Sequence, residues 1–176
     1  MKISGYFFLF VCSLFAGIFP ATEEAKASKQ FAVSRISPEL LTDANSVYRV
    51  NNMEVSIDGP GSYTIRYEIA VTILNENGTG PDILLIPYDS FTKPKFSEGA
   101  IYDGNGNEIK RIRRRDLVDM SNFDSGSLFA DSRIMAYQPA LANYPYTVVY
   151  KYEVTSSRGM FYVSGFFPTE DYNRST

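Results

Sequence analysis

The sequence contains no histidine and no tryptophan, and its one cysteine is Cys12. Each absence removes a class of chemistry. Without histidine the chain cannot build a Ser-His-Asp or Cys-His catalytic set. It also cannot offer imidazole to zinc, copper or haem. Without a second cysteine it cannot close a disulfide. Charge is sparse too: 17 cationic against 20 anionic side chains give a net charge of −3, with no excess of positive charge to hold a nucleic acid. Apolar residues make up 44% of the 176 positions, which suits one globular domain with its own core.

The only long apolar run is Tyr6 to Phe19, 14 residues preceded by Lys2. A membrane-spanning helix needs about 20. A short positive start, an apolar middle and then small residues is the order of a signal peptide. Ala25-Lys26-Ala27 supplies the small-x-small pattern, so residues 1–27 are expected to be removed by cleavage after Ala27. Cys12 lies mid-run behind Phe10 and Val11, which does not fit a lipid-anchored cysteine. The mature chain would then have no thiol, and an exported protein without disulfides must rely on its core. No membrane span is expected after cleavage.

Residues 28–46 read as an N-terminal segment with one short helix. Ser37 can cap and Pro38 suits a first turn, with the helix ending near Asn45. From Val47 the apolar period becomes two. Met53, Val55 and Ile57 alternate with polar residues up to Asp58-Gly59-Pro60-Gly61. Tyr63, Ile65, Tyr67, Ile69, Val71 and Ile73 then alternate again, with Thr64, Arg66, Glu68 and Thr72 facing away. Two such runs across a Gly-Pro-Gly turn predict a β-hairpin. A loop over 75–82 leads to a short strand, Ile83 to Ile86. Phe96 to Tyr102 and Glu108 to Ile112 flank Asp103-Gly104-Asn105-Gly106-Asn107, a second hairpin. Asp116 to Asp131 reads as a long loop. Ile134 to Tyr137, Tyr146 to Val154 and Met160 to Phe167 read as strands. The expected fold is all-β: an antiparallel β-sandwich over 47–176, with one short N-terminal helix before it.

Few residues suggest chemistry. Lys110-Arg111-Ile112-Arg113-Arg114-Arg115 holds five cations in six residues. On a strand Arg111, Arg113 and Arg115 would share one face with Ile112 inward. The plainer reading is a solvated strand end whose charges meet Asp116, Asp119 and other carboxylates. The alternative is a site for phosphate, acidic glycan or lipid head group. Asp103, Asn105 and Asn107 have the spacing of a calcium loop, but Glu108 and Arg114 stand where that loop needs Gly and Glu, so a turn is expected instead. Asp116, Asp119, Asp124 and Asp131 cluster around the long loop, and a glycosidase needs only two well-placed carboxylates. The chain has no tryptophan for sugars to stack on, which weighs against that. The Asn77-Gly78-Thr79 and Asn173-Arg174-Ser175 sequons matter only in a glycosylating pathway. Most tyrosines alternate with β-branched residues and read as core, while Tyr137, Tyr144, Tyr146 and Tyr172 near loops or ends could form a binding patch. No catalytic, cofactor-binding or metal-binding residue is assigned, and no cofactor is expected.

Several segments together carry a family resemblance. They are Leu40-Leu41 through Ala44-Asn45-Ser46-Val47; Ile86-Pro87-Tyr88; Ile101-Tyr102-Asp103 with Gly106; and Asp116-Leu117-Val118-Asp119. The most specific are Ser127-Leu128-Phe129-Ala130-Asp131-Ser132-Arg133 and Tyr144-Pro145-Tyr146-Thr147-Val148-Val149-Tyr150-Lys151-Tyr152-Glu153. From about Ile36 to Phe167 the chain resembles the exported domain of unknown function that precedes a transglutaminase-like domain in many Gram-negative bacterial proteins. The resemblance implies a β-sandwich in the periplasm or at the cell surface. It implies a non-catalytic role, accessory to a papain-like Cys-His-Asp domain that is absent from this chain. It also implies that the chain stops at Thr176 before that domain and before its own last strands. The alternative function is a free-standing periplasmic module that binds a glycan or peptide.

Overall fold

A computed structural model describes residues 29–122 and 131–157, and the backbone of 173–175. The expected signal segment, Asp124, Tyr172 and the expected strand from Met160 to Phe167 lie outside the described residues.

The N-terminal segment contributes a 3-10 turn, Val33–Arg35, and one turn of helix, α1, Pro38–Leu41. Pro38 sits in the first turn as expected. The Ser37 side chain makes no capping hydrogen bond. The helix stops well short of Asn45 because Asp43 adopts the left-handed conformation, φ 56°, which ends a right-handed helix.

Strands β1 (Ser46–Gly59) and β2 (Ser62–Ile73) form the first hairpin. Pro60 and Gly61 turn the chain, and Gly61 has φ 74°, the conformation a type II turn requires at that place. β3 (Leu84–Tyr88) follows. β4 (Thr92–Asp103) and β5 (Glu108–Ile112) make the second hairpin, with β4 starting four residues earlier than its alternation suggested. β6 (Val118–Ser121) and β7 (Arg133–Tyr137) precede the long β8 (Tyr146–Ser156). β6 lies where a structureless loop was expected. β9 (Asn173–Ser175) runs parallel beside β1.

The strands form two sheets, six strands in the order β5-β4-β8-β2-β1-β9 and three in the order β3-β7-β6. All described pairings but the β1–β9 edge are antiparallel. One apolar cluster joins the sheets. Val71, Ile73, Ile101, Tyr146, Val148 and Tyr150 of the large sheet meet Leu84, Ile86, Met135 and Tyr137 of the small one. Burying each such side chain contributes about 1.5–3 kcal/mol, the main force holding the sheets together.

Among the described residues, the large sheet's other face is covered at one end only. Phe31 packs on Tyr102, 4.9 Å between ring centres, and closes over Ala70, Ala100 and Val149. Thr72 and Thr147 are therefore fully buried there rather than solvent-facing. Their hydroxyls share a 2.8 Å hydrogen bond, and Thr147 also donates to the Phe31 carbonyl at 3.3 Å. Beyond that cover the strand register lines up Glu54, Arg66, Glu153 and Lys95 across four strands, bridged at 3.4, 3.5 and 2.9 Å. Arg66, Glu68, Lys151 and Glu153 face solvent as the alternation predicts, and their charges neutralise one another.

Candidate functional site

The residues singled out in the sequence fall into separate places. Asp103 spends its carboxylate on its own turn: Oδ1 accepts from the Asn105 and Asn107 backbone N–H at 2.9 and 2.8 Å, and Oδ2 accepts from the Asn107 side-chain amide at 2.9 Å. That is the turn reading, not a calcium loop. Asp116 accepts from the Arg113 backbone N–H at 2.7 Å and closes a 3-10 turn, Arg114–Asp116. Asp131 accepts from the Ser90 backbone N–H at 3.1 Å. Asn77 is exposed. Tyr137 and Tyr146 are buried and Tyr144 stacks on Tyr146, 5.6 Å between rings, so these three are core and not a binding patch. Among the described residues no group of three or more Asp, Glu or Cys is placed to hold a metal ion.

The cationic run is split by the fold. Lys110 lies 5.3 Å from the centre of the Tyr137 ring. Arg111 grips Glu108 with two hydrogen bonds, 3.1 and 3.0 Å. Ile112 points inward as predicted, but β5 ends there, so Arg113 and Arg115 do not share a strand face with Arg111. Two short facts then shape a cleft. β5 pairs with β4 only from Gly99 onward, and β4 bulges between Phe96 and Glu98. The Phe96 ring folds back over Gly99, where an added Cβ would stand 2.8 Å from the ring and 2.9 Å from Ile112. The hollow beside that ring has a volume of about 450 Å³ and is walled by Arg111, Arg113 and Arg114. A second hollow of about 360 Å³ continues past Arg114 to Pro94, Lys93 and Tyr88. Arg114 lines both.

A polar network braces this cleft. The Tyr88 hydroxyl is 2.7 Å from each oxygen of Asp119, and its single proton is donated to one of them at a time. Arg133 Nε donates to the Tyr88 oxygen and to Asp119 Oδ1, both at 3.0 Å. Arg114 reaches the other Asp119 oxygen at 3.6 Å. Of the three described loop carboxylates, Asp116, Asp119 and Asp131, Asp119 alone enters this network. Sequence reasoning missed the network because it missed β6. The signal was present: Val118 and Met120 alternate with Asp119 and Ser121.

The Tyr88 hydrogen bond, with Arg133 beside it, holds the Asp119 carboxyl below its ordinary range. Asparagine contacts do the same for Asp103, and Lys95 for Glu153. A lowered folded-state value means stability that is present above the unfolded value, near 4, and lost as pH falls through the folded value. Unfolding followed from about pH 6 to pH 2 should show that loss, and Tyr88→Phe should flatten it. Superimposable profiles would refute the role given to Tyr88.

The architecture defines a mostly β module with two antiparallel sheets and an open cleft at one sheet edge. Residues 59–173 match the family described as a domain of unknown function with a solved structure (DUF3857), and the chain belongs to that family. No curated protein is significantly similar to it in sequence. A crystal structure of a "putative protease" from Parabacteroides distasonis shares the fold, with a TM-score of 0.57 over 65% of this chain at 12% identity. The similar region is 24% of that longer chain.

Proposed function

We propose that this chain is an exported, non-catalytic β-sandwich module that docks beside a papain-like transglutaminase domain. The observation that carries the reading is the outer face of the small sheet. Register places Leu85, Ala136 and Val118 in one row and Pro87, Ile134 and Met120 in the next. The face holds no charge, yet Leu85, Val118 and Met120 are 56%, 59% and 46% exposed. Contiguous exposed apolar side chains mark an interaction surface. From strand spacing the face covers on the order of 300 Å², well below the ~800 Å² per partner of a stable free complex. Too small to hold a separate partner or a second copy, it suits a domain tethered on the same polypeptide, where the tether supplies millimolar effective concentration. The P. distasonis structure, in which this fold is about a quarter of a longer chain described as a "putative protease", supports a module carried beside a further domain. The lack of histidine, and of cysteine beyond Cys12, argues that any thiol chemistry belongs to that partner. A second reading, a free-standing binding module, is favoured by the cleft along β4.

Expressed with its own N-terminus in a Gram-negative host, the protein should be recovered from the periplasm beginning at Ser28, without peptidase or transamidase activity. A cytoplasmic product that keeps Tyr6 to Phe19 would overturn export. The genome downstream of codon 176 should encode the Cys-His domain; a neighbourhood without one would overturn the docking role and favour the second reading.

A further inference from the structure

We infer that Arg113 and Arg114, set over the apolar floor made by Phe96 and Ile112, form a binding subsite for an oxyanion, a carboxylate or phosphate group on a larger ligand. The inference is independent of the docking reading above. Arginine is the side chain suited to this task, since its planar fork matches a carboxylate or phosphate with two parallel hydrogen bonds.

The argument is one of unspent positive charge. Arg111 is engaged by both oxygens of Glu108 through its Nε and Nη2. Arg114 has one carboxylate near it, Asp119, at 3.6 Å, and that carboxylate already accepts from Tyr88 and Arg133 at 2.7 and 3.0 Å. Arg113 is exposed and its side chain makes no ion pair among the described residues. The carboxylate nearest to it in sequence, Asp116, is held by the Arg113 backbone N–H instead. The one acidic residue lining this hollow, Glu98, has its carboxylate 3.8 Å from Lys151. In a chain of net charge −3, cationic side chains thus converge on one concave, partly apolar surface with little to neutralise them. Walls of low polarity strengthen each charge interaction inside such a hollow relative to open water. The bulge at Ser97 and Pro94, which has no N–H to offer, make the adjoining β4 edge a poor template for an added strand. Recognition therefore falls to the guanidinium groups.

The test uses the whole mature protein. It is titrated with pyrophosphate in one arm and citrate in the other, followed by calorimetry and by amide shifts in the NMR spectrum. Saturable one-to-one binding is expected, with the largest shifts at Gly99 and Arg113, and the tighter probe assigns phosphate or carboxylate as the natural group. Arg113→Gln should weaken binding about tenfold or more, and Arg113→Lys should recover only part, because an ammonium cannot pair two-pronged. Arg115→Gln, outside the hollow, should leave affinity within about twofold. Arg113 is exposed, so its variants should melt with the parent protein, which separates lost binding from lost folding. Equal affinity for Arg113→Gln and parent, or shifts that climb without saturation and spread equally to Arg115 and Lys93, would overturn the site and return the run to a solvated strand end.

Discussion

Replacing Asp82 by alanine is expected to lower the unfolding free energy by about 3 kcal/mol, within the range for breaking a buried polar network. Asp82 is almost fully buried in the 75–82 loop. Its Oδ2 accepts from the Tyr146 hydroxyl at 2.7 Å and its Oδ1 from the Gly80 N–H at 2.8 Å. Its backbone oxygen accepts from Tyr150 at 2.7 Å. Burial pushes both phenols well above their ordinary value, and the hydrogen bond to Asp82 pushes Tyr146 further, so both stay protonated donors at any physiological pH. Alanine removes the acceptor and leaves the buried Tyr146 hydroxyl without a partner, while the Gly80 N–H, in an exposed stretch of the loop, can turn to water. Tyr146→Phe leaves the Asp82 Oδ2 without its donor but keeps the Gly80 N–H on Oδ1, and should cost less, about 1–2 kcal/mol. Because the two groups serve one network, the double variant should fall short of the sum of the singles. Urea unfolding of the three variants measures all of this. A loss below about 1 kcal/mol for Asp82→Ala would mean that the loop is held by other contacts.

Gly78→Ala should be comparably damaging, about 2–4 kcal/mol, although it adds a single methyl. A Cβ at Gly78 would stand inside the Asn45 carbonyl group and 3.2 Å from the Ser46 backbone nitrogen. Those atoms are backbone and cannot swing aside as a flexible side chain would. The Asn45 oxygen also accepts from the Leu74 N–H at 2.9 Å, at the point where β1 begins beside the end of β2. Making room therefore means moving a strand terminus. Gly59, at the end of β1, is the control: a Cβ there meets nothing within 4 Å, so Gly59→Ala should stay within about 1 kcal/mol. Thermal melts of the two variants side by side check the contrast, and equal melting temperatures would refute it.

The two glycines look alike in sequence, each beside a polar or proline-containing turn, and nothing local distinguishes them. Much else was legible. The alternation from Tyr63 to Ile73 and from Tyr146 to Val154 identified the two central strands, because a half-buried sheet face imposes a two-residue period. The Gly59-Pro60-Gly61 and Asp103-to-Asn107 turns marked both hairpins through residues that tolerate the required backbone angles. β6 does not stand out in the sequence, because four residues bounded by charge carry too short a period. The alternation puts Thr72 on the face away from Val71 and Ile73, which reads as the solvent side. The N-terminal segment covers it, and a polar side chain tolerates burial once Thr147 satisfies its hydroxyl.

Composition by itself determined that no imidazole chemistry and no disulfide exists in this chain, since no arrangement in space can supply a missing functional group. Local pattern determined which stretches are strands and which face of each is apolar, since both follow from the geometry of one strand. Only the tertiary structure decided that β4 lies beside β8 rather than β3, and that β3, β7 and β6 split off as a second sheet. Strands pair through backbone groups common to every residue, so partners are chosen by the burial of the whole set and not by any one segment. The same is true of the cleft. Arg113 and Arg114 gain their hollow from a bulge, a short neighbouring strand and a ring folded over Gly99, three features that are distant from the arginine run or invisible within it.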